Sequence, residues 1–132
     1  MKKLYDEISR RFPEICGDFG EGDEELPYMV MGYLASWIKR LPQEAFTPEL
    51  VDRLVSFAKW CEEAPRGDDA SNDLLTILCV GFYEHLFDSE ITRSLLPRFI
   101  AREDFIAGPG YFRVWVGADN YDKALKHFET EL

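Results

Sequence analysis

Lysine and arginine are missing from two long stretches of this chain, residues 12–38 and 67–92, and acids take their place. The first stretch carries Glu14, Asp18, Glu21, Asp23, Glu24 and Glu25, and the second carries Asp68, Asp69, Asp73, Glu84, Asp88 and Glu90. Together these carboxylates exceed the whole net charge of −10, so the rest of the 132-residue chain is slightly basic. Charge concentrated in this way attracts a basic partner and speeds encounter with it, whereas an even excess would mainly prevent self-association. Basic runs are also lacking and the isoelectric point is near 4.6, which argues against direct nucleic-acid binding, where Lys and Arg must displace counterions from phosphates.

Long apolar runs are absent too. The longest charge-free stretch, residues 26–38, has 13 residues, against the ~20 that a membrane-spanning helix needs. The N-terminal Met-Lys-Lys-Leu-Tyr-Asp-Glu meets two acids at once and lacks the apolar core of a signal peptide, so a cytoplasmic location is expected. Cysteine is scarce and odd in number. Cys16, Cys61 and Cys79 have no CxxC spacing, so neither a disulfide framework nor a zinc site is expected. What the chain does have is an apolar fraction of 46% and an aromatic fraction of 14%, enough for one folded domain over residues 1–132.

Apolar spacing and capping residues predict an all-α fold. Leu4, Ile8 and Phe12 recur every four residues before Pro13, predicting a short amphipathic helix. Residues 14–25 mix acids with Gly17, Gly20 and Gly22 and read as an acidic loop. Leu26, Met29, Val30, Tyr33, Leu34, Trp37, Ile38 and Leu41 then follow the 3,4 spacing up to Pro42. Thr47 caps and Pro48 opens a helix that runs to Ala64. Ser71 is the expected cap of a helix over residues 72–87, apolar almost all round and therefore central. Ser89 opens another helix, broken or kinked at Pro97, and Asp119 is the expected cap of the last. Between them Gly108-Pro109-Gly110 signals a turn, and the aromatic and β-branched residues 111–116 read as a short β or irregular segment. The expected architecture is an orthogonal helical bundle, or a short stack like helical-repeat proteins, of about five to six helices.

Chemistry-bearing patterns are few. Asp18-Phe19-Gly20 spells a kinase metal-binding triplet without the glycine-rich loop or catalytic loop that would give it meaning. The same loop has glycines where a calcium-binding EF-hand loop would place acids. Glu84-His85 has no second histidine near it in sequence, and His127 lies where a helix C-terminus favours a cation. Neither a metal, a cofactor nor an enzymatic reaction is expected.

Arg11-Phe12-Pro13-Glu14-Ile15, the acidic loop, Leu26-Pro27-Tyr28 and Val80-Gly81-Phe82-Tyr83-Glu84 resemble a family of small, acidic, all-helical bacterial proteins over residues 4–90. By type the chain is similar to immunity proteins, the cytosolic antitoxins that block toxin domains of polymorphic toxin systems. That resemblance implies a protein-binding role with a cognate toxin, or another basic protein, as partner, and it carries over no functional residue. The residues expected to meet such a partner are Asp18, Glu21, Asp23, Glu24, Glu25, Asp68, Asp69 and Asp73, with Tyr28 and Trp115 as apolar anchors. The rival readings are a structural or adaptor domain and an acidic mimic of nucleic acid.

Overall fold

The computed structural model describes the backbone of residues 2–107 and 109–130, and the side chains of all of these except 2, 107, 109–111, 115 and 130. The fold is all-α: the described residues form nine α-helical segments and four 3-10 turns, with no strand among them. The chain divides into two compact units, Met1–Phe82 and Tyr83–Leu132.

The first unit is built on four helices, α1 (Lys2–Arg11), α2 (Pro27–Arg40), α3 (Pro48–Glu63) and α4 (Leu74–Gly81). Leu4, Ile8 and Phe12 are fully buried, as their spacing requires. Thr47 caps α3, its Oγ1 accepting the Leu50 N–H at 3.2 Å, and Pro48 sits where a missing N–H costs nothing. Helix α2 packs on α1 and α4, and α3 on α4. The Phe12 ring meets Phe57 edge-on at 5.7 Å, and the Arg53 guanidinium lies over its face at 5.5 Å.

Two expectations for this unit need correction. Residues 14–25 are not an irregular loop: Pro13–Asp18 and Asp23–Glu25 form 3-10 turns. Ile15 is fully buried, and Phe19 inserts between Tyr5 and Tyr33 at 5.0 and 5.5 Å, so apolar anchors fold the acids down onto α1 and α2. Gly22, at φ 85°, makes the reversal that an L side chain would resist. The helix over residues 72–87 is shorter than its apolar pattern suggests. It ends at Gly81, Phe82 leaves helical geometry at φ −128° and ψ −63°, and Tyr83–Asp88 continues as a 3-10 turn. Its three-residue period puts Tyr83 and Leu86 on one side, where both are buried. Gly81 has a packing reason, since a Cβ there would lie 2.8 Å from Met31 Cγ.

The second unit begins with that turn and continues through α5 (Glu90–Arg93), α6 (Leu96–Phe99), α7 (Arg102–Ala107), α8 (Pro109–Val116) and α9 (Ala118–Thr130). Ser89 caps α5 by accepting the Thr92 N–H at 3.2 Å. The helix expected through Pro97 is broken there into α5 and α6, with the proline in the first turn of α6. Segment 111–116, expected as β or irregular, is instead the body of helix α8. A lone strand leaves its backbone groups unpaired, whereas a helix pairs them internally. Proline opens this helix and Gly117, at φ 90°, closes it. The last helix starts at Ala118, so Asp119 lies within its first turn, where a negative charge suits the dipole.

Short helices bury few side chains each, so this unit relies on large rings. Phe105 is fully buried, its centroid 4.1 Å from Phe128 and 4.8 Å from Tyr121, with Phe87 and Phe112 about it at 6.1 and 5.8 Å.

Candidate protein-binding face on the acidic end of the first unit

The acidic side chains of the first unit divide into those that hold its loops and those left on the surface. Asp73, at 4% exposure, belongs to the first group. Its carboxylate takes two parallel N–H bonds from Arg66 at 2.8 Å each, a third from the Gly67 backbone at 3.1 Å, and the Thr76 hydroxyl at 2.6 Å. Gly67 is required beside it, because a Cβ there would fall 2.3 Å from the Asn72 carbonyl oxygen. Asp73 also occupies the residue before α4, the position that the sequence reading gave to Ser71. The Ser71 N–H and hydroxyl both turn to Asp69 instead.

Asp23 is likewise buried, its Oδ2 accepting the Gly20 N–H at 2.7 Å. A hydrogen bond to that carboxylate, reinforced by partial desolvation, raises the Tyr33 pKa above the ordinary phenol value. Glu14 pairs with Arg53, Oε2 to Nη2 at 2.7 Å, and this bond holds its carboxyl below the usual range. Asp18 lies 3.8 Å from Arg40, with both side chains about half-exposed or more. Glu24 is half-buried, and Glu21, Glu25, Asp68 and Asp69 are exposed.

Tyr28 ties the two acidic segments together. It stands in the first turn of α2, just past the Asp23–Glu25 turn, and its hydroxyl donates to the Ala70 carbonyl at 2.7 Å. Partial burial raises its pKa, and the charges of Asp73 and Asp69 raise it further. The ring remains 36% exposed, an aromatic set between two acidic loops. Trp115, the other expected anchor, lies on α8 of the second unit, and its side chain is outside the described residues. Of the second acidic stretch, Glu84, Asp88 and Glu90 belong to that unit as well. Glu90 is held there by Arg93 at 3.0 Å and by His127, and these bonds lower its pKa.

Two kinds of residue on this unit are not legible in the sequence. Arg66 is one, since nothing in a spacing of seven residues announces that it chelates Asp73. Leu26 and Met29 were assigned to the apolar stripe of α2 but are 47% and 49% exposed. The buried line of that helix runs instead through Val30, Met31, Leu34, Ala35 and Ile38. Among nucleophile candidates, burial pushes the Cys61 thiol up to about 12, so it stays protonated at neutral pH. His85 Nδ1 lies 3.7 Å from Asp88 Oδ2 at an open hollow also lined by Glu84, Val116 and Asn120. Among the described residues no three His, Cys, Asp or Glu side chains gather as metal ligands would, and no helix is long and apolar enough to cross a membrane.

The Asp73 clasp has an acid-stability signature. Its three kinds of donor stabilise the charged form, so its folded pKa lies below the reference value of 3.8. The stabilisation is therefore complete above that value and disappears as pH falls through the folded pKa. Asp73→Asn is expected to lower the melting temperature at pH 7 and to flatten its decline below about pH 4. Thermal melts from pH 7 to 2 would show this; an acid limb identical to that of the parent chain would mean that Asp73 does not anchor the loop.

Comparison with protein-family models, with curated proteins and with solved structures gives no match to this chain.

Proposed function

We propose that this chain binds a basic protein through the acidic end of its first unit and neutralises it by covering that surface, as an immunity protein does with its toxin. The observation that carries the reading is Tyr28, whose bond to Ala70 joins two loops bearing exposed acids. The loops are fixed from within by Asp23 and Asp73, which leaves Glu21, Glu24, Asp68 and Asp69 to act on a partner. Pre-ordered charges steer encounter without an ordering cost, and an aromatic among them supplies close packing. Asp23 and Asp73 support the face and do not contact the partner.

The test starts by recovering a partner from the native host with the tagged chain and measuring binding rates at low and high salt. Replacing Glu21 and Glu24 with Gln and Asp68 and Asp69 with Asn is expected to slow association about tenfold at low salt and to weaken its salt dependence. Tyr28→Ala is expected to act on dissociation instead. A toxin-bearing gene immediately upstream would supply the partner directly. Association rates untouched by all four changes would remove the electrostatic mechanism.

A further inference from the structure

Positive charge gathers at one place in the second unit, although that unit is acidic as a whole. It holds nine Asp and Glu residues against six Lys and Arg, and three of those six line a single open hollow of about 560 Å³. Helix α5 packs on α9 and supplies Glu90 and Arg93, while α9 supplies Lys123, Lys126 and His127. Intervals of three and four residues set the three α9 side chains along one side of that helix. The same helix carries Asp119, Asp122 and Glu129, and none of these lines the hollow.

The hollow already holds one carboxylate of the chain's own. Glu90 bridges the two helices: its Oε2 accepts from Arg93 Nη2 at 3.0 Å, and its Oε1 meets His127 Nε2. The side chains of Arg93 and His127 are only 11% and 23% exposed, so both are fixed parts of the wall. Arg93 is anchored further by donating Nη1–H to the Phe87 carbonyl at 2.7 Å, and its Nε finds no acceptor among the described residues. Glu90 answers only part of the positive charge, because three cations against one carboxylate leave two positive charges in excess on the walls. Lys123 is exposed and pairs with no carboxylate among the described residues. The dipole of α9 favours a cation in the last turn and accounts for His127 there, but Lys123 lies nearly two turns before the end.

A ligand that balances these walls must carry two negative charges in a small volume. A phosphate group does so at neutral pH, its second pKa being about 6, and it offers three strong acceptor oxygens. A carboxylate ligand would bring one charge and repeat what Glu90 does. A nucleic-acid strand needs a basic track for successive phosphates, whereas these cations are confined to one hollow in a chain of net charge −10. We propose that the hollow between α5 and α9 is a binding site for a small phosphate dianion, free or as the head of a phosphate monoester, held by Lys123, Lys126 and Arg93. The inference goes beyond partner binding and does not rest on it, since the acidic face of the first unit plays no part in the site.

Nitrogen–proton NMR of the full chain tests the site by titration with inorganic phosphate and, separately, with glycerol phosphate, at constant ionic strength and about pH 7.5, where both are mostly dianions. Saturable shifts in α5 and α9 are expected, and the tighter of the two ligands identifies the form that the site takes. Dimethyl phosphate, the same group with a single charge, should bind about tenfold more weakly. Replacing Lys123 and Lys126 together with Gln should weaken binding about tenfold or more. Glu90→Gln, which removes the opposing charge but keeps an acceptor oxygen for Arg93, should tighten it. Circular dichroism checks that each variant is folded. Shifts that fail to saturate with either dianion would overturn the proposal, as would an affinity indifferent to the lysine changes, weakened by Glu90→Gln, or equalled by dimethyl phosphate.

Discussion

Phe105→Ala should cost about 3–5 kcal/mol, the range for removing a fully buried phenylalanine side chain. The residue is completely shielded, and four other rings pack around it. Its backbone carbonyl also accepts the buried Tyr121 hydroxyl at 3.3 Å, so collapse into the cavity would disturb a hydrogen bond as well. Such a loss is large against the total stability of about 5–15 kcal/mol for a whole domain. Urea unfolding followed by near-ultraviolet circular dichroism would read it through the aromatic signal. Val114→Ala, on a side chain 76% exposed, should stay within about 0.5 kcal/mol and serves as the control. If the two variants unfold at the same urea concentration, the ring cluster does not hold the second unit together.

Leu78→Asp should unfold the first unit or nearly so. Leu78 is fully buried on α4, the helix that packs on both α2 and α3. An uncompensated carboxylate there would cost several kcal/mol, roughly the 3–5 seen when a buried charge loses its partner. Desolvation raises the pKa of the introduced carboxyl in the folded state. The folded form therefore holds the proton more tightly, and the penalty grows as pH rises above the ordinary value of about 4. Urea midpoints at pH 4.5 and pH 7.5 should thus differ more for the variant than for the parent chain, with the variant weaker at pH 7.5. A variant as stable as the parent at both pH values would show that Leu78 is not in the core.

The helices that the sequence alone made legible are those whose signals are local. For α1, α2 and α3 the apolar period, the Thr47 cap and the proline stops lie within a few residues of the elements they define. Ser89 and the break at Pro97 were legible for the same reason. The errors fell where a local signal was ambiguous. An apolar run without polar interruption fixes burial but not length, so it did not mark the end of α4 at Gly81. Residues 111–116 combine aromatic and β-branched types that favour strands, but no second strand existed among the described residues to pair with them.

The candidate site divides in the same way. Composition alone identified which residues carry the negative charge, because charge is a property of residue type. Which of those charges reach solvent was settled by tertiary contacts: Arg66 and Thr76 enclose Asp73 and the Gly20 backbone takes Asp23, while Glu14, though paired with Arg53, stays exposed. A carboxylate bonded three or four times within the fold is an anchor, while the same group on a loop edge is a contact for a partner. Sequence cannot separate the two, because Arg66 to Asp73 and Tyr28 to Ala70 are pairings that exist only once the chain has folded.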